Sequence, residues 1–198
     1  RAQRAETRDK LIEGARRVFT ALGYVHATIE HVLAEARVSR ASCYAHFAGK
    51  AELVSAIAER FAPVWQPLYI ELAAMRDPSA AALLQWGARA VRLYREHQDT
   101  CIILTQAAAI EPEIYWQLAR SQDEIIDLLA RSNPALAHLA QDRAARTRAA
   151  LVLSNIDHTC YFLAVRHWAD DPAAGISAMA DALGRFLGEE ARHAGGQG

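Results

Sequence analysis

Glycine and proline are scarce in this sequence, ten and six among 198 residues, and β-branched residues seldom run together. That shortage argues against a fold built from many turns and strands. With alanine and leucine dominant, it indicates a helical protein. No apolar run approaches the ~20 residues of a membrane span, and no signal-peptide pattern opens the chain. The chain begins at Arg1 rather than Met, as if upstream sequence had been removed. Cysteine is limited to Cys43, Cys101 and Cys160, widely spaced and odd in number. Without a Cys-x-x-Cys pair there is neither a zinc ribbon nor a dithiol redox motif, and a reducing cytoplasm is the expected location.

Signatures of catalysis are missing too. There is no glycine loop to cradle phosphate, no His-Glu-x-x-His pair and no nucleophile elbow. Asp157 and His158 are adjacent, so on a helix they point apart and cannot form a relay. His97 and Cys101 share a helical face and, with His158 or Cys160, could ring a metal ion. A buried His or Cys more often just packs, so no enzyme, metal or cofactor is expected.

An excess of one charge is lacking overall, with a net charge of −1 at neutral pH. The distribution is uneven. Residues 1–50 hold nine Lys/Arg against five Asp/Glu, a balance of +4, and the remainder thirteen against eighteen, a balance of −5. A basic head on an acidic body suits a protein of which only one end meets phosphate.

The spacing of Leu11, Ile12, Ala15, Val18, Phe19 and Leu22 predicts an amphipathic helix from Ala5 to Leu22, closed by Gly23. Thr28 caps a second, short helix with Ile29, Val32, Leu33 and Ala36 inside, and Ser39 caps a third from Arg40 to about His46. A fourth runs from about Lys50 through Phe61, carrying Leu53, Val54, Ile57 and Ala58, and Pro63 and Pro67 are expected to break the chain after it. Three short helices and a longer one, with two or three residues between the second and third, make a helix-turn-helix layout.

From Thr7 to about Phe61 the sequence resembles the DNA-binding domain of the TetR family of regulators. The matching residues are Ala15, Phe19, Gly23 and Tyr24, then Thr28-Ile29, Ala36, Val38-Ser39-Arg40, Tyr44-x-His46-Phe47, and Lys50, Glu52 and Leu53. Three positions depart from the family pattern. Leu33 stands for a small residue and Cys43 for a larger aliphatic one, so Cys43 can make the room Leu33 needs. Arg37 stands for a turn glycine, so it must adopt a positive φ or reshape the turn.

The resemblance implies an all-α fold: an N-terminal, homeodomain-like helix-turn-helix domain and a C-terminal helical domain for ligand binding and dimerisation. The expected divisions are a DNA-binding domain at 1–49, a linking helix at 50–61, the larger domain at 62–194 and a disordered tail at 195–198. It also implies that Thr28, Tyr44, His46 and Lys50 grip the sugar-phosphate backbone, positioning the third helix without specifying sequence. Arg40 can reach a guanine edge or a phosphate, and Ala41 can touch a thymine methyl group. Ser39 and Ser42 lie on the same first turn, Arg37 can add a phosphate contact, and Arg1, Arg4 and Arg8 can form a mobile arm.

Beyond Phe61 the reading rests on pattern alone. Helices are expected from Ser79 to about His97, from Thr100 to Ala109, from Glu111 to near Arg131, from Asp142 to Trp168 and from Ala173 to Ala191, with a break at Asn133-Pro134. The last two carry apolar stripes, Leu151, Asn155, His158, Phe162 and Val165 on one, Ile176, Met179, Leu183, Phe186 and Leu187 on the other. These form the expected homodimer face, since in the family the two corresponding helices pair with their symmetry mates in a four-helix bundle. A twofold axis would set two recognition helices about 34–36 Å apart on a palindromic operator in double-stranded DNA. Trp65, Tyr69, Trp86, Tyr94, Trp116 and Phe162 are candidate walls for a small, mainly apolar or aromatic effector, with His97, Gln106, Asn155 and His158 as polar anchors. The expected function is a repressor released by that effector. The alternatives are a helical binding protein or enzyme whose head no longer engages DNA, and a regulator answering a partner or a redox change at Cys43 or Cys101.

Overall fold

A computed structural model describes residues 2–166 and 171–195. Among the described residues the regular structure is entirely helical. The helices are α1 (Ala2–Leu22), α2 (Ile29–Ala36), α3 (Arg40–Tyr44), α4 (Lys50–Ala74), α5 (Ala80–Glu96), α6 (Gln98–Ala108), α7 (Pro112–Ser132), α8 (Arg143–Tyr161) and α9 (Pro172–Gly195). A 3₁₀ segment, Pro134–Ala140, links α7 to α8, and one π-helical turn, Phe162–Arg166, continues α8. The expected last turn of α8, to Trp168, lies outside the described residues, as does the tail beyond Gly195.

Polar caps set the boundaries where the sequence places them. Thr28, Ser39, Ser79 and Asp142 each accept a backbone N–H from the first turn of α2, α3, α5 and α8, satisfying donors that a helix start leaves over. The prolines behave differently from expectation. Pro63 and Pro67 sit inside α4, which runs unbroken to Ala74. They are one turn apart on its exposed face, as is Glu59 a turn earlier, so the carbonyls that lose a donor open to solvent rather than into a core.

The chain forms two compact units, interleaved along the sequence: residues 1–64 with 99–119, and 65–98 with 120–198. In the first, Leu11, Ile12, Ala15, Phe19, Tyr24, Val32, Cys43, Phe47, Leu53 and Val54 form a core joined by Ile103, Ala107 and Ile114 from α6 and α7. A Cβ on Gly14 would lie 3.0 Å from the Cβ of Ala36, so the crossing of α1 over α2 depends on that glycine. Leu33 packs partly buried against this core, in which the small Cys43 is fully enclosed.

The second unit is centred on α5, whose Leu83, Trp86, Ala90 and Val91 are buried against α8 and α9. Trp86 has no exposed surface, and its indole N–H donates to the Leu68 carbonyl at 2.9 Å, so the large ring is packed with its one polar atom satisfied. A Cβ on Gly87 would stand 2.9 Å from the Met179 methyl, and this glycine lets α9 close on α5. Asn133 is buried at the end of α7. It donates to the Met75 carbonyl at 2.8 Å and accepts from the Ala135 N–H at 3.1 Å, which builds the break at Asn133-Pro134.

One expectation is corrected in this unit. Met179, Leu183, Phe186 and Leu187 are buried within the single chain, and Ile176 packs against the same core. The apolar stripe of α9 is interior because α5 and α8 cover it. Val165 likewise packs on that core, whereas Leu151 on α8 stands 66% exposed.

Candidate functional site

The turn between α2 and α3 is built from three local choices. Thr28 and His31 cap each other reciprocally, the Thr28 hydroxyl accepting from the His31 N–H and the His31 ring accepting from the Thr28 N–H, both at 3.3 Å. Arg37 takes φ 54° and ψ 46°, the left-handed conformation and the first of the two options open to it, and its N–H donates to the Leu33 carbonyl. Ser39 then accepts from the Ser42 N–H at 3.2 Å and starts α3.

Thr28, Arg37, Ser39, Arg40, Ala41 and Tyr44 are exposed, and Ser42 and His46 are half-buried. Tyr44 keeps 49% of its surface open, unusual for a ring beside a core. Arg40 donates to the Glu30 carboxylate, but both side chains are more than half exposed. Such a pair is worth at most about 1 kcal/mol, so a phosphate or guanine edge can displace it. Arg4, Ala5, Arg8, Ala45 and His46 line a shallow, open depression of about 370 Å³ beside the end of α3. Arg8 lies 5.3 Å from the centre of the Phe47 ring and 3.7 Å from Glu59, and Arg4 donates to the Ala45 carbonyl at 3.4 Å. Helix α1 begins at Ala2, so Arg4 and Arg8 are helical rather than parts of a mobile arm; Arg1 lies outside the described residues.

Lys50 is held differently from a free cation. Its ammonium donates to the carbonyls of Tyr24 and Ala27, each at 2.9 Å, and stands 4.5 Å over the Tyr24 ring. It braces the loop between α1 and α2. Tyr24 is fixed from the other side as well: its N–H donates to the Gln106 side chain at 2.8 Å and its hydroxyl to Glu111 at 2.5 Å. Burial and the Glu111 carboxylate push the phenol well above its ordinary pKa, so it stays a donor. Gln106, read from the sequence as an effector anchor, thus has its carbonyl oxygen engaged in the first unit. Trp116 belongs to that unit too and is 60% exposed beside Tyr115, so it walls no enclosed space there.

In the second unit Trp65, Tyr69 and Trp86 form a chain of edge-to-face rings with centres 5.5 and 6.0 Å apart. Tyr69 and Tyr94 meet at a residue the sequence reading passed over for this role: both hydroxyls donate to Asp157 Oδ1, at 3.2 and 2.7 Å. Burial pushes the Asp157 carboxyl above its ordinary 3.8, and the two phenols only partly offset that. A helical wheel carries the missed signal, because Asp157 falls on the row of Leu153 and Cys160, both buried. His158 and Asn155 are exposed, His158 lying 4.5 Å from Phe162 between ring centres. His97 closes α5, its N–H donating to the Leu93 carbonyl at 3.1 Å. Among the described residues no group of His, Cys, Asp and Glu side chains is placed to hold a metal ion, and no helix is long and apolar enough to cross a membrane.

Comparison with known proteins agrees with the geometry of the head. Residues 11–57 match the family described as bacterial regulatory proteins, tetR family. The chain is 39% identical over 56 residues to the uncharacterized HTH-type transcriptional regulator TtgW of Pseudomonas putida, a stretch that covers 28% of this chain and 42% of that protein. Similarity of fold extends much further. A TetR-family regulator from Syntrophomonas wolfei superposes with a TM-score of 0.66 at 15% identity, covering 95% of this chain and 96% of that one. The fatty acid degradation regulator FadR of Bacillus halodurans superposes with a TM-score of 0.62 at 15% identity, over 89% and 93%. The head thus carries the sequence pattern of the tetR family of bacterial regulatory proteins, and nearly the whole chain has the fold of the TetR-family structure from Syntrophomonas wolfei.

Proposed function

We propose that the protein is a repressor that binds a palindromic operator as a homodimer and leaves it when a small, mainly apolar or aromatic effector enters the body. The observation that carries this reading is the solvent-facing α3, capped by Ser39 and presenting Arg40, Ala41 and Tyr44 beside a depression lined by Arg4, Arg8 and His46. An exposed, positively flanked helix of this kind fits the major groove, with Arg40 on a base edge and Arg4, Arg8, Thr28 and Tyr44 near phosphates. Lys50 contributes by stiffening the loop beneath rather than by reaching out.

The homodimer face is drawn on α8 and the outer side of α9. Thr147, Leu151, Asn155 and His158 form an exposed row on α8, and Ala174, Ala178 and Arg185 one on α9. Leu151 supplies the apolar centre and the alanines permit close approach. The aromatic cluster of Trp65, Tyr69, Trp86 and Tyr94 favours an effector with apolar or aromatic surface. The effector must bind the released state more tightly, or it shifts nothing. All three cysteines are buried, and burial raises the Cys43 thiol, which does not favour a redox trigger.

Selection of duplexes from a random library tests the reading. Enrichment of an inverted repeat with half-sites about one helical turn apart is the expected result. Recovery of no sequence, or of a single unsymmetrical half-site, would overturn it.

A further inference from the structure

The second unit holds one buried and one half-buried carboxylate, Glu190 and Asp157, and treats them in opposite ways. Glu190 on α9 has no exposed surface, and Arg148 donates to it twice, at 2.7 and 3.1 Å, while the His138 ring lies 2.6 Å away. It is a paired acid, satisfied within the chain. Asp157 receives two neutral phenols, both on Oδ1. Among the described residues these phenols are its hydrogen-bond donors, and neither reaches Oδ2. A half-buried carboxylate held only by neutral donors is partly desolvated and attracts a cation that can reach its other oxygen. Tyr69 and Tyr94 flank it, and Trp65 meets the Tyr69 ring edge-to-face; such rings attract a cation as well as an apolar frame.

From this arrangement we infer that Asp157, framed by Tyr69 and Tyr94, anchors the positive end of the effector, a protonated amine carried on an apolar or aromatic body. The inference rests on the effector reading above and narrows it to one chemical class. The amine donates to the free Oδ2, the phenols hold the carboxylate in place, and the half-buried rings of Trp65 and Tyr94 cover the ligand's frame. The arrangement disfavours a carboxylic acid, which would face Asp157 with like charge.

Titration calorimetry with three probes of one shape tests it: naphthylmethylamine, neutral naphthylmethanol and anionic naphthoate, each against wild type and Asp157→Asn. The amine should bind wild type about ten-fold or more tighter than the alcohol, the range of a charge-assisted hydrogen bond, and Asp157→Asn should bring the two to near parity. Parity in wild type, which needs no variant, overturns the inference, and so does a preference that survives Asp157→Asn. Should that variant fail to fold, Tyr94→Phe keeps the carboxylate and must keep the preference for the amine. Tighter binding of naphthoate would overturn the amine class while leaving an effector-binding body intact. No binding of any probe at millimolar concentration would remove the effector reading together with its anchor.

Discussion

The head and the body place polar groups under different obligations. In the head, Lys50, Gln106 and Glu111 converge on the short loop at Tyr24, and each finds a backbone or side-chain partner. Their polar capacity is used to hold a surface still while Arg40 and Tyr44 remain open to solvent. In the body, the charge at Glu190 is closed off by Arg148 and His138, and the charge at Asp157 is not. The contrast is between a held, outward-facing surface and a half-buried carboxylate met only by neutral donors.

Four substitutions break or sharpen this contrast. Arg148→Met should have the largest effect, about 2 kcal/mol lost at neutral pH, because it strips Glu190 of its cation; partial exposure of Arg148 keeps the loss below that of a fully buried pair. Burial alone would raise the Glu190 carboxyl, but the bonds from Arg148 and His138 hold it below its ordinary 4.5. Its contribution is therefore complete above that value and fades as pH falls through the lowered one, where the variant and wild type should converge in urea unfolding. Equal stability at neutral pH would mean Glu190 is not a paired acid.

Lys50→Met should cost about 1–2 kcal/mol through the two carbonyls it leaves uncapped. If Lys50 is a brace, the salt dependence of DNA binding keeps its slope. A slope smaller by about one would restore it as a phosphate contact.

Asp157→Asn should stabilise the body by about 1 kcal/mol at neutral pH, since the uncompensated charge disappears. The folded carboxyl sits above 3.8, so wild type loses stability as pH rises from that value through the raised one. The advantage of the variant should accordingly grow with pH and vanish near pH 3.8. A variant less stable than wild type at neutral pH would make Asp157 an ordinary member of the core. The smallest effect belongs to Arg37→Gly, a gain of about 0.5 kcal/mol in melting experiments from relief of the left-handed backbone.

Much of the head was legible in the sequence because its signals are local. Thr28 and Ser39 announce their helices by capping, and the position of Arg37 narrows the turn to a positive φ or a new shape, of which the chain takes the first. What escaped was non-local. Nothing in the pattern of α6 says that Gln106 turns to Tyr24, a residue 82 positions away in the sequence. The stripe on α9 reads the same whether a symmetry mate or the chain's own α5 covers it, so Met179 and Leu183 went to the wrong partner. Pro63 and Pro67 read locally as breakers, although prolines spaced one turn apart on an exposed face can be absorbed. Beside His158 in the sequence Asp157 offers no relay, and its partners Tyr69 and Tyr94 lie 88 and 63 positions away.

Fluorescence anisotropy on duplexes recovered by selection, against scrambled duplexes of the same composition, tests the central claim most directly when wild type and Arg40→Ala are titrated at two salt concentrations. The account predicts that wild type prefers the selected duplex by about a thousand-fold or more, and that Arg40→Ala loses about 1–3 kcal/mol on that duplex and much less on the scrambled one. Equal affinity of wild type for both duplexes would contradict it.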